Sequence, residues 1–249
     1  MAFDASEFTT NAKPLPIFLV LDVSGSMSGS KITELNSAVN LMINELKNTV
    51  AKEISITMCV VSFDSSARVH IPMSSIENIN WRGLSTGGST NLKHALELTK
   101  SLIEDKNVVP SRAYRPAVIL VSDGYPDSNW ESSMKDFIEN GRSSKCDRMS
   151  MLIGDQSAAS VMNAFLKGSG NPLFFARDAK DISKFFKFVT MTTTTRTLSK
   201  APNTVVAMPQ FDKENLLAGT VVCNNTNNDT YTGPVATVVA TSDSEDDDE

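Results

Sequence analysis

The chain has 249 residues, 41% of them apolar, and a formal net charge of −6, enough for one sizeable core. No window approaches the run of about 18 apolar residues that a membrane helix needs, and MAFDASEFTT carries no secretory pattern, so a soluble cytoplasmic protein with no membrane partner is expected. The acidity is local: residues 242–249, SDSEDDDE, hold six acids, and the rest of the chain carries 23 acids against 23 Lys and Arg, which argues against a broad nucleic-acid footprint.

Residues 1–12 read as an N-terminal arm. Ile17, Phe18, Leu19, Val20 and Leu21 then form an apolar run without alternation, the pattern of a strand buried on both faces. The run closes on Asp22 and gives way to small polar residues, VSGSMSGSK, which look too flexible to serve packing. Next, Ile32, Leu35, Ala38, Val39, Met42, Ile43 and Leu46 share one helical face. ISITMCVVSF (54–63) and ARVHIP (67–72) read as a hairpin, with Pro72 ending an edge strand.

Residues 91–104 are helical, and RPAVILVSDG (115–124) repeats the opening theme of an apolar run closed by an aspartate. A helix over 129–140, a strand over 147–154, a helix over 158–166, a strand over 172–176 and a helix from near Ala179 follow. The texture changes from about Thr192, where a threonine run leads toward prolines and an Asn/Thr-rich stretch. The expected organisation is a domain over 13–197, an appendage over 198–241 in which GTVVC and GPVATVVA can pair as a small hairpin, and a disordered acidic tail over 242–249. Ser242 or Ser244 in that tail would suit an acidophilic kinase, and the tail as a whole a basic partner. Cys59, Cys146 and Cys223 are far apart and odd in number, so buried thiols rather than disulfides or a zinc knuckle are expected.

Alternating strands and helices imply a doubly wound α/β fold: a mainly parallel six-stranded sheet, one short antiparallel edge strand, and helices on both faces. Ligands of such sheets bind beyond the carboxyl ends of the strands, where Asp22 and Asp123 fall.

Three chemistries compete for the first loop. A phosphate cradle needs G-x-x-x-x-G-K-[ST], and the spacing Gly25, Gly29, Lys31, Ile32 fails it. A nucleophile elbow needs serine at the centre of GSMSG, where Met27 stands, and His70 and His94 are the only histidines. A cation site fits better. Asp22, Ser24 and Ser26 offer oxygens at alternate positions, with Gly25 letting the backbone bend between them. LSTGGSTN (84–91) adds Thr90 at a helix start, and Asp123 comes from a third loop. Hard oxygen donors suit Mg²⁺ or Mn²⁺ rather than zinc or copper.

D-x-S-x-S at Asp22, Ser24 and Ser26, a threonine after Gly-Gly-Ser at Thr90, and S-D-G at Asp123 resemble the metal-ion-dependent adhesion site of von Willebrand factor A domains. The resemblance covers roughly residues 13–196 and implies a Rossmann-like fold of that family. It also implies that Ser24, Ser26 and Thr90 hold a metal through hydroxyls, with Asp22 and Asp123 acting directly or through water. Mg²⁺ is the expected ion, with Mn²⁺ and Ca²⁺ as alternates. A partner's Glu or Asp carboxylate would complete the shell, making the site a receptor rather than a catalyst. Asp64, Trp81, Tyr125, Asp127 and Trp130 are further rim candidates, with Asp127 expected to cap the next helix.

The longer segments PLPIFLVLDVSGSMSGSKITELNSAVN, WRGLSTGGSTNLKHAL and VILVSDGYPDSNW are most similar to the bacterial branch encoded with tellurite-resistance clusters, the Y component of that system. That similarity implies a non-enzymatic adaptor or scaffold in chemical-stress signalling, partnered by a Ser/Thr kinase and a metal-dependent protein phosphatase. The threonine run would then offer phosphorylatable hydroxyls. The alternatives are a Mg²⁺-dependent hydrolase using Asp22 or Asp123 and an exported adhesin. A two-metal hydrolase would need more anionic ligands than this site offers.

Overall fold

The computed structural model describes residues 12–48, 54–127 and 129–203. Within them a sheet with strand order β3-β2-β1-β4-β5-β6 is built from β1 (Lys13–Asp22), β2 (Ile54–Phe63), β3 (Ala67–Ser75), β4 (Ala117–Ser122), β5 (Asp147–Ile153) and β6 (Phe174–Ala176). All pairings are parallel except β2 with the edge strand β3. Five helices complete the fold: α1 (Ser30–Lys47), α2 (Leu92–Glu104), α3 (Glu131–Glu139), α4 (Ala159–Leu166) and α5 (Ala179–Leu198). This is the doubly wound α/β architecture expected from the alternation.

Two apolar layers sandwich the sheet because β1 side chains alternate between them. Ile17, Leu19 and Leu21 join α1 and α5 through Leu35, Val39, Ile43, Phe185 and Phe186, while Phe18 and Val20 join α2, α3 and α4 through Leu96, Phe137 and Phe165. The predicted face of α1 is buried at Leu35, Ala38, Val39, Met42, Ile43 and Leu46, and Ile32 is partly buried against the same layer. Each fully buried side chain of this size stabilises the fold by about 1.5–3 kcal/mol relative to exposure. Cys59 and Cys146 are buried free thiols whose pKa burial pushes up to about 12, while Cys223 lies outside the described residues.

Two boundaries differ from the sequence expectation. The edge strand does not stop at Pro72 but continues to Ser75. Pairing jumps from Val60↔Ile71 to Met58↔Ser74, so β3 carries an extra residue there, and a bulge tolerates a proline that cannot donate to the ladder. The threonine run likewise continues α5 through Thr192 to Thr195. Thr190 Oγ1 donates to Phe186 O at 2.8 Å and Thr197 Oγ1 to Thr194 O at 2.7 Å, so these hydroxyls bond along the helix instead of breaking it. Thr192 and Thr193 are buried, which leaves Thr195 as the exposed hydroxyl of the run. The expected hairpin and acidic tail lie outside the described residues, as does the arm before residue 12. No helix among the described residues is long and apolar enough to cross a membrane.

Candidate metal centre

The strand order reverses at β1: the chain leaves it toward β2 on one side and returns through β4 on the other. Their carboxyl ends therefore open a crevice. Asp22 is the last residue of β1, and Asp123 directly follows β4. The register Leu21↔Val121 sets these two ends side by side.

The first loop is less loose than its composition suggests. Residues Gly25–Met27 form a 3-10 turn, and Met27 is completely buried in the α1/α5 layer, anchoring the polar residues around it. Two backbone bonds tie this loop to the second: Gly25 N donates to Gly88 O at 3.0 Å and Gly87 N to Val23 O at 2.8 Å. The expected bend at Gly25 is the start of this 3-10 turn and is made without a positive φ. Gly88 is the demanding position, with φ +74° and a site where a Cβ would lie 2.6 Å from Ser65 Oγ.

A continuous chain of hydrogen bonds links four of the five predicted side chains. Asp22 Oδ1 accepts from Ser24 N at 2.8 Å, Ser24 Oγ and Ser26 Oγ lie 3.0 Å apart, and Ser26 Oγ donates to Asp123 Oδ1 at 2.7 Å. Asp22 is 0% exposed and Asp123 4%, whereas Ser26 is open to solvent. Burial holds the Asp22 carboxyl above its usual range, and the nearby Asp123 charge adds to this against the hydrogen bonds from Ser122 and Ser24. Thr90 is buried just before α2, and its carbonyl accepts from Asp127 N at 2.9 Å, joining the second and third loops.

The rim candidates separate. Asp127 does not cap α3, whose N-cap is Trp130; its carboxylate instead accepts from Ser89 Oγ at 2.8 Å. Through its carboxylate to Ser89 and its N–H to Thr90 O, Asp127 staples the second and third loops together. Asp64 turns to the hairpin, where its hydrogen bond with Arg68 holds its pKa below the usual range. Trp81 packs against the α1/α5 layer and edge-on to His70 at 5.5 Å, and Trp130 packs on the opposite layer. Tyr125 alone of these aromatics is widely exposed, at 57%.

Sequence reasoning passed over two residues. Ser122 Oγ donates to Asp22 Oδ2 at 2.5 Å, a neighbour that the β1–β4 register places beside it once the sheet order is known. Lys31 Nζ lies 2.5 Å from Asp123 Oδ2 and also donates to Ser26 O at 3.3 Å. Its signal was positional: a base in the first turn of a helix with no acid there opposes the helix dipole and calls for a partner.

The donor set can be tested against a metal by its chemistry. Among the described residues no group of three or more His, Cys, Asp or Glu side chains converges, so a thiolate or imidazole site is not what the loops present. They present hydroxyls and two buried carboxylates, whose combined charge exceeds that of the one ammonium beside them. Such a set fits a hard divalent cation with room left for water or an outside oxygen ligand.

Residues 17–125 match the family model of the von Willebrand factor type A domain, the stretch that holds all five site positions. Solved structures agree on the fold. A von Willebrand factor type A protein from Catenulispora acidiphila aligns at TM-score 0.55 with 17% identity over 74% of this chain and 43% of its own. Proximal thread matrix protein 1 from the mussel byssus, solved with a zinc-occupied metal-ion-dependent adhesion site, aligns at 0.55 with 16% identity over 74% and 46%. The pilus adhesin SpaC of Lactobacillus rhamnosus GG aligns at 0.59 with 13% identity over 74% and 30%. The match thus spans less than half the length of each of these structures. No curated protein matches the sequence. The solved structures show the Rossmann-like α/β fold of von Willebrand factor type A domains, and the site-bearing stretch 17–125 is similar to that family's model.

Proposed function

We propose that this domain is a divalent-metal-dependent protein interaction module that captures a partner's Glu or Asp carboxylate, with Asp22, Ser24, Ser26, Thr90 and Asp123 holding the metal. The observation that carries the reading is the arrangement of hydroxyls and two buried carboxylates, drawn from three mutually stapled loops at the sheet's switch point. When bound, the ion would supply a Lewis-acidic centre whose shell three neutral hydroxyls and two carboxylates leave open to an outside oxygen ligand. The chain's own contribution is rigidity: Met27 and the backbone bonds between loops fix the hydroxyls before a ligand arrives, which reduces the ordering cost of binding. Ser122 fixes the Asp22 carboxylate from behind, leaving the solvent side to Ser26. Mg²⁺ is the ion we assign, with Mn²⁺ and Ca²⁺ as alternates; the zinc in the byssus protein shows that the same loop motif there takes a divalent ion.

The function we assign at the next level is a cytoplasmic adaptor or scaffold, without catalysis, in tellurite-resistance-type stress signalling. Its partners would be a Ser/Thr kinase and a metal-dependent protein phosphatase. Support for this level is the sequence similarity of the site-bearing segments alone. The domain unit is residues 13–197, with 198–241 as an appendage and 242–249 as a tail. Immobilised protein should retain such a kinase or phosphatase in Mg²⁺ and release it in EDTA, and Ser24→Ala should not retain it. Retention indifferent to both, or phosphoester turnover lost in Asp22→Ala, would replace the adaptor with another kind of protein.

A further inference from the structure

Lys31 is the charged group nearest the site that the metal reading leaves without a role. Its ammonium lies 2.5 Å from Asp123 Oδ2 and 3.3 Å from Ser26 O, and the other Asp123 oxygen is already taken by Ser26 Oγ. Both contacts belong to residues of the candidate metal centre. The lysine also has a seat: its Nζ and Cε lie 3.7 and 3.8 Å from where a Cβ would stand on Gly154, just past β5. Its side chain remains 34% exposed, so it can leave toward solvent without unpacking a core. Position speaks against a helix-stabilising purpose, because an ammonium in the first turn of α1 faces the positive end of the helix dipole.

We infer that Lys31 is a resident counter-cation of the metal centre, a tethered ammonium that neutralises Asp123 in the metal-free protein and is displaced when a divalent ion binds. The inference rests on the metal reading above. Two consequences follow from charge alone. In the metal-free protein Lys31 offsets part of the repulsion between the buried Asp22 and Asp123 carboxylates, so it stabilises the empty fold. On metal binding the same ammonium must give up Asp123 to a divalent charge, so it weakens affinity and makes the site answer only to higher ion concentrations.

The test compares the full chain with Lys31→Met, which keeps the stem's length and apolar packing but not the charge, and with Lys31→Arg, which keeps the charge. Metal-stripped samples are titrated with Mg²⁺ and with Mn²⁺ and followed by calorimetry and by melting. Lys31→Met should melt lower than the parent when metal-free, reach the same saturated melting temperature, and half-saturate at about fivefold lower ion concentration, the change expected from losing one ion pair with a partly exposed lysine. Lys31→Arg should stay close to the parent. Binding in Lys31→Met but not in the parent also supports the inference, with the lysine then acting as a plug. Equal or weaker affinity in Lys31→Met overturns it while leaving the metal site standing. Absence of binding in every protein overturns both.

Discussion

Both ends of the sheet bury aspartates, and they treat them differently. At the amino end, Asp147 opens β5 at 4% exposure, accepts from Asn171 Nδ2 at 2.9 Å, and faces the Arg196 guanidinium at 3.8 Å. Arg196 in turn donates to Pro202 O at 2.8 Å and Arg115 O at 2.6 Å, locking the last turn of α5 to the sheet. At the carboxyl end, Asp22 has a serine hydroxyl and a backbone N–H but no cation of its own, and Asp123 has a lysine that solvent can reach. The amino end is a closed structural knot; the carboxyl end leaves its carboxylates with hydroxyl partners and one solvent-accessible ammonium, the arrangement that the proposed metal site would use. Burying a charge without closing its shell costs stability, and that cost concentrates where a fold binds something.

Breaking the closed end should have the largest effect. Arg196→Ala leaves Asp147 buried without its cation and should cost about 3–5 kcal/mol, a fall of about 10 °C in melting temperature, while the ion concentration for half-saturation stays put. Breaking the open end should do the reverse. Asp22→Asn removes a charge that burial disfavours, so the metal-free protein should melt about 2–4 °C higher while its response to metal disappears, a trade seen by melting with and without Mg²⁺. Acid should sharpen the contrast. Because the folded Asp22 pKa is raised, protonation stabilises the metal-free fold fully below the unfolded carboxylate pKa, and that gain is lost as pH rises through the folded value. Protons and metal compete for the same oxygen, so ion binding measured calorimetrically should weaken on acidification from a pH above the ordinary aspartate value. The smallest effect belongs to the rim: Arg68→Ala removes a half-exposed pair with Asp64 at 2.8 Å and should change stability by about 0.5 kcal/mol or less, with metal binding intact.

The fold was legible because its strands are apolar throughout and its helices keep one clean face, as in Ile17–Leu21 and Leu35–Leu46. The site's four linked side chains were legible for a related reason: an aspartate ending a buried strand has no packing purpose, so it announces a ligand. What the sequence hid was long-range. Ser122 becomes a partner of Asp22 only through the β1–β4 register, and Lys31 reaches Asp123 only because α1 starts beside the third loop. Threonine propensity misled at α5, where tertiary locking by Arg196 carries the helix past residues that favour strands. Met27 read as an obstacle to one motif and proved to be the anchor of another.

The central claim is that the open end holds a metal. It is tested most directly by melting metal-stripped protein across a Mg²⁺ titration beside Ser24→Ala and Thr90→Ala, neither of which removes a charge. The account predicts a saturating rise in the parent, about 2.7 kcal/mol at a hundredfold excess over the dissociation constant, that both variants lose. A parent indifferent to Mg²⁺, Mn²⁺ and Ca²⁺, or variants that rise as the parent does, would contradict it.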